Sequence, residues 1–454
     1  MSNQNFPGYF MLKHNKAVWG WALYDWGNSA FATTVMAGFF PIFFKQYWSS
    51  ETDVNMSTAQ LGLANSVASL LVALMAPVLG AIADRGSYKK RFMTMFAYLG
   101  VLMTACLFLV EQGNWLMAVL VYTLGTIGFS GANVFYDSLL PSLSNEKTVD
   151  SVSSLGYAMG YLGGGILFLL NVVMTLNPSW FGLTNAAEAV RWSFLTVALW
   201  WGCFTLLTLF WVPEPQHARD HVRGNSIAEG IAQLRRTFKE MRHLKTLMLF
   251  LFAYWFYMDG VDTIVRMAVD YGMSIGFAST DLITALLLVQ FVGFPAALIF
   301  GRLGEKWGVK RSIFLAIGIY MLATIGGMQM TQKYEFYLLA AVIGLVQGGI
   351  QALSRSYYSR LIPPNQAAEY YGFFNMLGKF AVILGPVLMG GVALLARNWL
   401  MPEAPSEAEI QMVGQLAARW SIGSILILFL IGGILLYFVD DEKGREEARY
   451  LAEH

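Results

Sequence analysis

The chain has 454 residues, of which 56% are hydrophobic and only 13% charged, about half the charged fraction usual in a soluble globular domain. A balance of 30 Lys+Arg against 29 Asp+Glu leaves a net charge of +1, so there is no basic field to hold nucleic acid. The two cysteines, Cys106 and Cys203, sit in apolar runs without metal-ligand spacing and none of the five histidines falls in such a run, which excludes a disulfide framework and a metal or haem centre at membrane depth.

A transmembrane helix needs about 20 mainly apolar residues to cross ~30 Å of hydrocarbon, and twelve such stretches follow along the chain, at 17–47, 58–83, 91–111, 115–141, 151–176, 188–212, 245–273, 280–303, 311–331, 335–362, 369–396 and 415–439. The expectation is an all-α polytopic membrane protein. The first run is too long for a signal-peptide core and carries Asp25, so it is expected to stay as a helix. Twelve spans put both termini on one face. Lysine and arginine concentrate there, leaving Lys45, Arg191, Lys333, Arg397 and Arg419 on the other, which predicts cytoplasmic termini.

Charged and amide residues inside the spans need a reason, because each is costly in hydrocarbon. Asp25 and Asn28 stand on one side of span one. Between spans six and seven, Val212-Pro213-Glu214-Pro215 opens a polar linker, 213–244, in which Ile227, Ile231, Leu234, Phe238 and Met241 recur at helical spacing behind a Ser226/Glu229 cap. That pattern predicts an amphipathic surface helix between an N-terminal bundle, 1–212, and a C-terminal bundle with its tail, 245–454. In span seven Asp259, Asp262, Arg266 and Asp270 share one face, and Asp262 with Arg266 can neutralise each other one turn apart. Asp259 is then left over, and with Asp25 it is a candidate proton carrier, Asp25 being favoured. Gln347, Gln351 and Arg355 lie along one face of span ten, and Lys379 is ~15 Å into span eleven. These nine residues, Asp25, Asn28, Asp259, Asp262, Arg266, Gln347, Gln351, Arg355 and Lys379, are the candidate substrate contacts.

Shifting the chain along itself by 221 residues pairs Gly80 with Gly301, Asp84 with Glu305, Arg85 with Lys306, Lys89 with Lys310 and Lys90 with Arg311, and further on Gly128 with Gly349, Tyr136 with Tyr357 and Gly164 with Gly385. One offset held across four spans predicts two six-helix halves in the same orientation, an organisation of transporters that bind at the midplane between halves.

The run Gly80-Ala-Ile-Ala-Asp84-Arg85-Gly86-Ser87-Tyr88-Lys89-Lys90-Arg91 resembles the loop signature of the major facilitator superfamily, and Gly301-Arg-Leu-Gly-Glu305-Lys306-Trp307-Gly308-Val-Lys310-Arg311 resembles its second copy. The first copy has Ser87 where the pattern has its second glycine, so a local difference in that turn is expected. Tyr24-Asp25-Trp26-Gly27-Asn28-Ser29-Ala30-Phe31, with Pro41 and Tyr47, resembles the bacterial UMF1 group, related to the vacuolar effluxer family of fungi. The resemblance implies a gate in which Asp84 meets the start of span eleven near Tyr371 and Gly372 while Arg85 or Arg91 reaches Asp137. The gating set it implies is Gly80, Asp84, Arg85, Lys89, Arg91, Asp137, Glu305, Lys310 and Arg311.

The reading is therefore a monomeric secondary transporter of a bacterial inner membrane, neither enzyme nor cofactor protein, rocking two halves about a polar midplane site. No phosphate-binding loop is present, so active transport needs an ion gradient, with protons as the candidate. Mixed cavity charges suit a small polar or zwitterionic solute such as an amino acid or peptide, and membrane lipid surrounds the chain. Two alternatives stay open: an exporter of lipophilic or siderophore-like molecules, and a non-transporting receptor or lipid-handling protein on the same fold.

Overall fold

The computed structural model describes residues 15–49, 54–215, 239, 244–274, 279–330, 332–380, 384–402 and 406–453. All regular structure among them is helical. Among the described residues, eleven helices are long and apolar enough to cross a membrane. In chain order the ones used below are α1 (Lys16–Trp48), α2 (Val54–Gly86), α3 (Lys89–Cys106), α4 (Trp115–Ser138), α5 (Val149–Leu176), α6 (Ala186–Trp211), α7 (Lys245–Ser274), α8 (Ser279–Trp307), α9 (Val309–Gln329) and α10 (Lys333–Arg360), then α11 (Ala367–Phe380), α12 (Leu384–Leu400), α13 (Glu407–Tyr437) and the polar tail helix α14 (Asp441–Glu453). The sequence reads 369–396 as one span; the structure describes two helices there, α11 and α12, with residues 381–383 outside the described set. Apart from Lys239, the predicted linker helix from Ser226 to Met241 also lies outside it.

Buried apolar side chains fall mainly into two clusters. One runs from Val18 to Val212 and is joined by Ala368; the other runs from Leu244 to Val439. Between the halves the principal contacts are α2 on α11 and α5 on α8, which the 221-residue repeat relates to each other, with α5 on α10 and α4 on α11 beside them. The repeated glycines explain themselves here. A Cβ on Gly80 would lie 2.3 Å from the Ala368 carbonyl oxygen of α11, and one on Gly301 would lie 2.7 Å from the Ser154 Cβ of α5. Each is the point where a helix of one half meets the backbone or short side chains of the other, as small residues permit in membrane bundles.

The same seam carries the charges. Asp84 accepts hydrogen bonds from the Ala368 and Glu369 backbone N–H groups at 3.1 and 2.8 Å, at the N-terminus of α11 where the helix dipole favours an anion, three residues before the expected Tyr371 and Gly372. It also holds the buried Lys89 ammonium at 2.8 Å. In the second copy Glu305 accepts from the Ser151 hydroxyl at the start of α5. Next to it Arg360, ending α10, forks onto both oxygens of Asp150 at 2.7 and 2.8 Å, a buried pair. α14 lies across this face: Tyr357 donates to Asp441, Glu447 accepts from Thr246 at 3.3 Å, and Arg445 and Arg449 reach Glu146 of the other half at 3.6 and 2.8 Å. The Arg449 hydrogen bond holds the Glu146 carboxyl below its ordinary range, so this contribution is complete above the ordinary glutamate value and is lost only as pH falls through the lowered one.

Ser87 has φ 54° despite its side chain, and the Tyr88 N–H closes the helix on the Ala83 carbonyl at 3.0 Å, whereas the matched Gly308 has φ 91° and ψ 143° with its own N–H on the Gly304 carbonyl at 3.1 Å. The expected local difference is present: two residues, 87 and 88, link the helices in the first copy and Gly308 alone links them in the second, and the serine adds strain to its turn. Ser87→Gly should raise the apparent melting temperature, by about 1 kcal/mol of relieved strain; an unchanged or lower value would mean the serine is not strained there. Asp84→Asn should open the seam, since each hydrogen bond to a charged group contributes about 1.5–3 kcal/mol, and should lower the melting temperature by leaving Lys89 short of its acid. Spin labels at Lys147→Cys and Lys306→Cys, in a background without Cys106 and Cys203, read the separation; an unaltered distance distribution would remove Asp84 from the gate.

Candidate functional site

Between the halves lies a cavity of about 450 Å³, walled by α1, α4 and α5 on one side and α7, α8, α10 and α11 on the other. It runs from Arg355 and Asp137, near the terminus-bearing ends of α10 and α4, to Leu282 and Phe336, near the opposite ends of α8 and α10. The seam described above closes it at the terminus-bearing face.

Arg355 forms the floor. It is 2% exposed, and its Nη1 donates to Asp137 Oδ1 at 2.9 Å, its Nε to the Ser153 hydroxyl at 2.9 Å and its Nη2 to the Ser153 carbonyl at 2.8 Å. Its guanidinium also lies over the rings of Tyr157, Trp21 and Tyr136, at 4.3, 4.8 and 5.5 Å, where a cation is attracted to the aromatic faces. Every one of these partners is in the other half of the molecule. Asn375 of α11 donates to the second oxygen of Asp137 at 3.3 Å.

Above the floor stand Asp25, Asn28, Gln347 and Gln351, all in the cavity wall as the sequence places them on shared helix faces. Asp25 accepts from the Tyr136 hydroxyl at 3.2 Å and the Ser29 hydroxyl at 3.4 Å. Asn28 donates to the Asn133 carbonyl at 2.6 Å while its own carbonyl oxygen has no partner, and the Gln347 carbonyl oxygen has none either. Gln351 accepts from Tyr161 at 3.4 Å. Towards the far face the wall on the C-terminal side turns apolar, with Leu282, Val289, Phe336 and Ile343. Such a chamber can hold a molecule with one polar end and one apolar end.

Several expectations change. Asp259 is not in the cavity wall: it is 0% exposed and its oxygens accept from the Leu384 and Gly385 N–H groups, at 3.0 and 2.9 Å, and from Thr263 at 3.2 Å. Its carboxylate is thus taken up by the backbone of α12 and by Thr263. Asp262, one turn on, is half-buried and also outside the wall. The partner of Asp137 is Arg355 from the other half, not Arg91, which is exposed and lies over the Tyr88 ring at 5.7 Å. Lys310 is fastened to the Tyr437 and Val439 carbonyls at 2.9 and 2.6 Å within its own half, so it braces α9 against α13 and does not cross the seam; Arg311 is exposed. The side chains of Arg85, Arg266, Asp270 and Lys379 lie outside the described residues. Sequence reasoning passed over Asp150, Ser153, Tyr157, Arg360 and Asn375; an acid in the first turn of α5 was the available signal for Asp150, although it reads equally as a dipole partner.

A buried pair that bridges two halves makes a sharp energetic claim. Asp137→Asn or Arg355→Gln alone should cost about 3–5 kcal/mol by leaving one charge uncompensated, and the double substitution should recover part of that loss. Thermal unfolding of the four members of the cycle measures it, and strictly additive losses would show that the two groups do not act as a pair.

With this geometry in place, comparison with known proteins is informative. The family model described as "Vacuole effluxer Atg22 like" matches residues 52–399. A protein of Bacillus subtilis (strain 168) named as an MFS-type transporter, YxiO, is 36% identical over 441 residues, spanning 96% of this chain and 97% of that one. Autophagy-related protein 22 of Coccidioides immitis (strain RS) is 23% identical, across 96% of this chain and 89% of its own length. Among solved structures, the human organic anion transporter MFSD10 (TETRAN) superposes with a TM-score of 0.68 at 15% identity, covering 93% of this chain and 98% of that one. The proton:xylose symporter XylE bound to 6-bromo-6-deoxy-D-glucose gives 0.67 at 14%, covering 96% and 97%. At these identities the structural likeness speaks for the fold.

Proposed function

This chain belongs to the Atg22-like vacuole effluxer family of major facilitator transporters, and from that premise we propose that it carries a small polar or zwitterionic solute, amino acid or peptide-like, by alternating access, with its termini in the cytoplasm. The observation that carries the reading is the cavity between the halves together with the seam that closes one end of it. A solute reaches such a site from the open side, and release on the other requires the α2–α11 and α5–α8 contacts to part, so that one site serves both faces in turn.

Protons are the proposed coupling ion and Asp25 their carrier. Asp25 is a cavity carboxylate whose described hydrogen-bond partners are hydroxyls, whereas both oxygens of Asp259 are taken by backbone N–H groups. Solute and proton would then compete for one carboxylate, which ties movement of one to release of the other. The lysine and arginine excess on the terminus-bearing loops supports cytoplasmic termini.

Proteoliposomes preloaded with mixed amino acids and dipeptides, and assayed for counterflow of tritiated amino acids, test the transport reading. Saturable uptake should appear, should stop when Lys147→Cys and Lys306→Cys are cross-linked across the seam in the background without Cys106 and Cys203, and should return on reduction. Absence of saturable flux for every solute offered would favour a non-transporting role. Accumulation driven by a pH gradient should be lost in Asp25→Asn, and accumulation that survives this change would remove Asp25 as the carrier.

A further inference from the structure

Resting on the transport reading above, we infer that the cavity selects its solute by an organic ammonium on an apolar body, held at Asp25, in preference to a carboxylate. Among the described residues of the wall, the formal charges are those of Asp25, Asp137 and Arg355. Arg355 is held by the other half: three of its five N–H groups donate to Asp137 or Ser153, and three aromatic rings lie against it. Asp137 is neutralised by that pair and takes a further donor from Asn375.

One negative charge is therefore left over, on Asp25, whose hydrogen bonds come from two hydroxyls at 3.2 and 3.4 Å. Asn28 stands beside it in the wall, one turn along α1. A primary ammonium brings three donors and no acceptor, which matches this carboxylate. A carboxylate brings only acceptors to this wall and meets the Asp25 charge as a like charge. The rest of the solute faces Val265, Leu282, Leu286, Val289, Phe336 and Ile343, which offer it no hydrogen bond from a side chain.

Three probes of one shape separate the poles: phenethylamine has the ammonium alone, phenylalanine has both groups, and 3-phenylpropionate has the carboxylate alone. Calorimetric titration of the purified full-length protein should give phenethylamine and phenylalanine affinities within about threefold of each other, with 3-phenylpropionate weaker by at least tenfold. Asp25→Asn should weaken phenethylamine by roughly ten- to 150-fold, the loss of a charge-assisted bond. Asn28→Ala, with a melting curve as the folding control, should weaken it less and supplies the mutational arm if Asp25→Asn does not fold. Phenylalanine binding more than tenfold tighter than the amine would mean that the carboxylate is read, and would overturn the proposal. Binding of 3-phenylpropionate as tight as the amine, or binding of none of the three, would overturn it too. Saturable amino acid counterflow in the proteoliposome assay would persist through any of those failures if the broader transport reading is sound, so the two stand or fall separately.

Discussion

The pair of Arg355 with Asp137 is the constraint on which the cavity rests. It lies beneath the candidate site and joins α10 of one half to α4 of the other, at 2.9 Å and almost wholly out of solvent. A buried ion pair seldom adds net stability over an apolar contact of the same size. Its value here is positional: the guanidinium fits only when the Tyr157, Trp21 and Tyr136 rings, the Ser153 peptide and the Asp137 carboxylate are all in place. Tyr136 extends the arrangement upward, stacking on Trp21 with centroids 4.4 Å apart while its hydroxyl reaches Asp25. The floor and the carboxylate above it are thus set by one side chain.

The repeated loop motif has a different task, and its two copies perform it by different means. Both use a glycine to let helices of opposite halves approach, at Gly80 and Gly301. The first copy adds an acid that caps α11 through backbone N–H groups. At the second, the acid Glu305 accepts from the Ser151 hydroxyl, and the bidentate pair of Arg360 with Asp150 supplies the strong contact. Backbone capping by Asp84 depends on the position of α11, whereas a side-chain pair depends on two rotamers, so the two sides of the seam need not yield under the same perturbation.

Much of this was legible in the sequence because it is periodic. The spans follow from runs of about 20 apolar residues, the halves from a fixed offset, and the cavity face of α10 from the three-to-four spacing of Gln347, Gln351 and Arg355. What escaped is pairing at a distance. Asp137 and Arg355 stand 218 residues apart, and nothing local to either tells which of several basic residues the acid will meet. Asp259 escaped for a related reason: its partners are backbone N–H groups of α12, to which every residue type contributes equally, so no side-chain pattern announces them.

The depth of each contact also orders the work of opening the closed face. The contacts of Glu146 with Arg445 and Arg449 are largely exposed, and parting charges that water can immediately hydrate costs little. The Arg360 and Asp150 pair is buried but lies at the helix ends, so water follows as soon as the tail helix shifts. Arg355 meets solvent only from the cavity side, because its other contacts are with Asp137, Ser153 and the aromatic rings of the other half. Separating it from Asp137 without solvent leaves two uncompensated charges in a low-dielectric interior, the most expensive arrangement available to the fold. Under the transport cycle proposed above, opening would therefore proceed from the outer contacts inward, and the floor pair would part last, as water or a solute charge reaches it. In that cycle the last barrier would depend on what occupies the cavity, so that binding above the floor bears on movement below it.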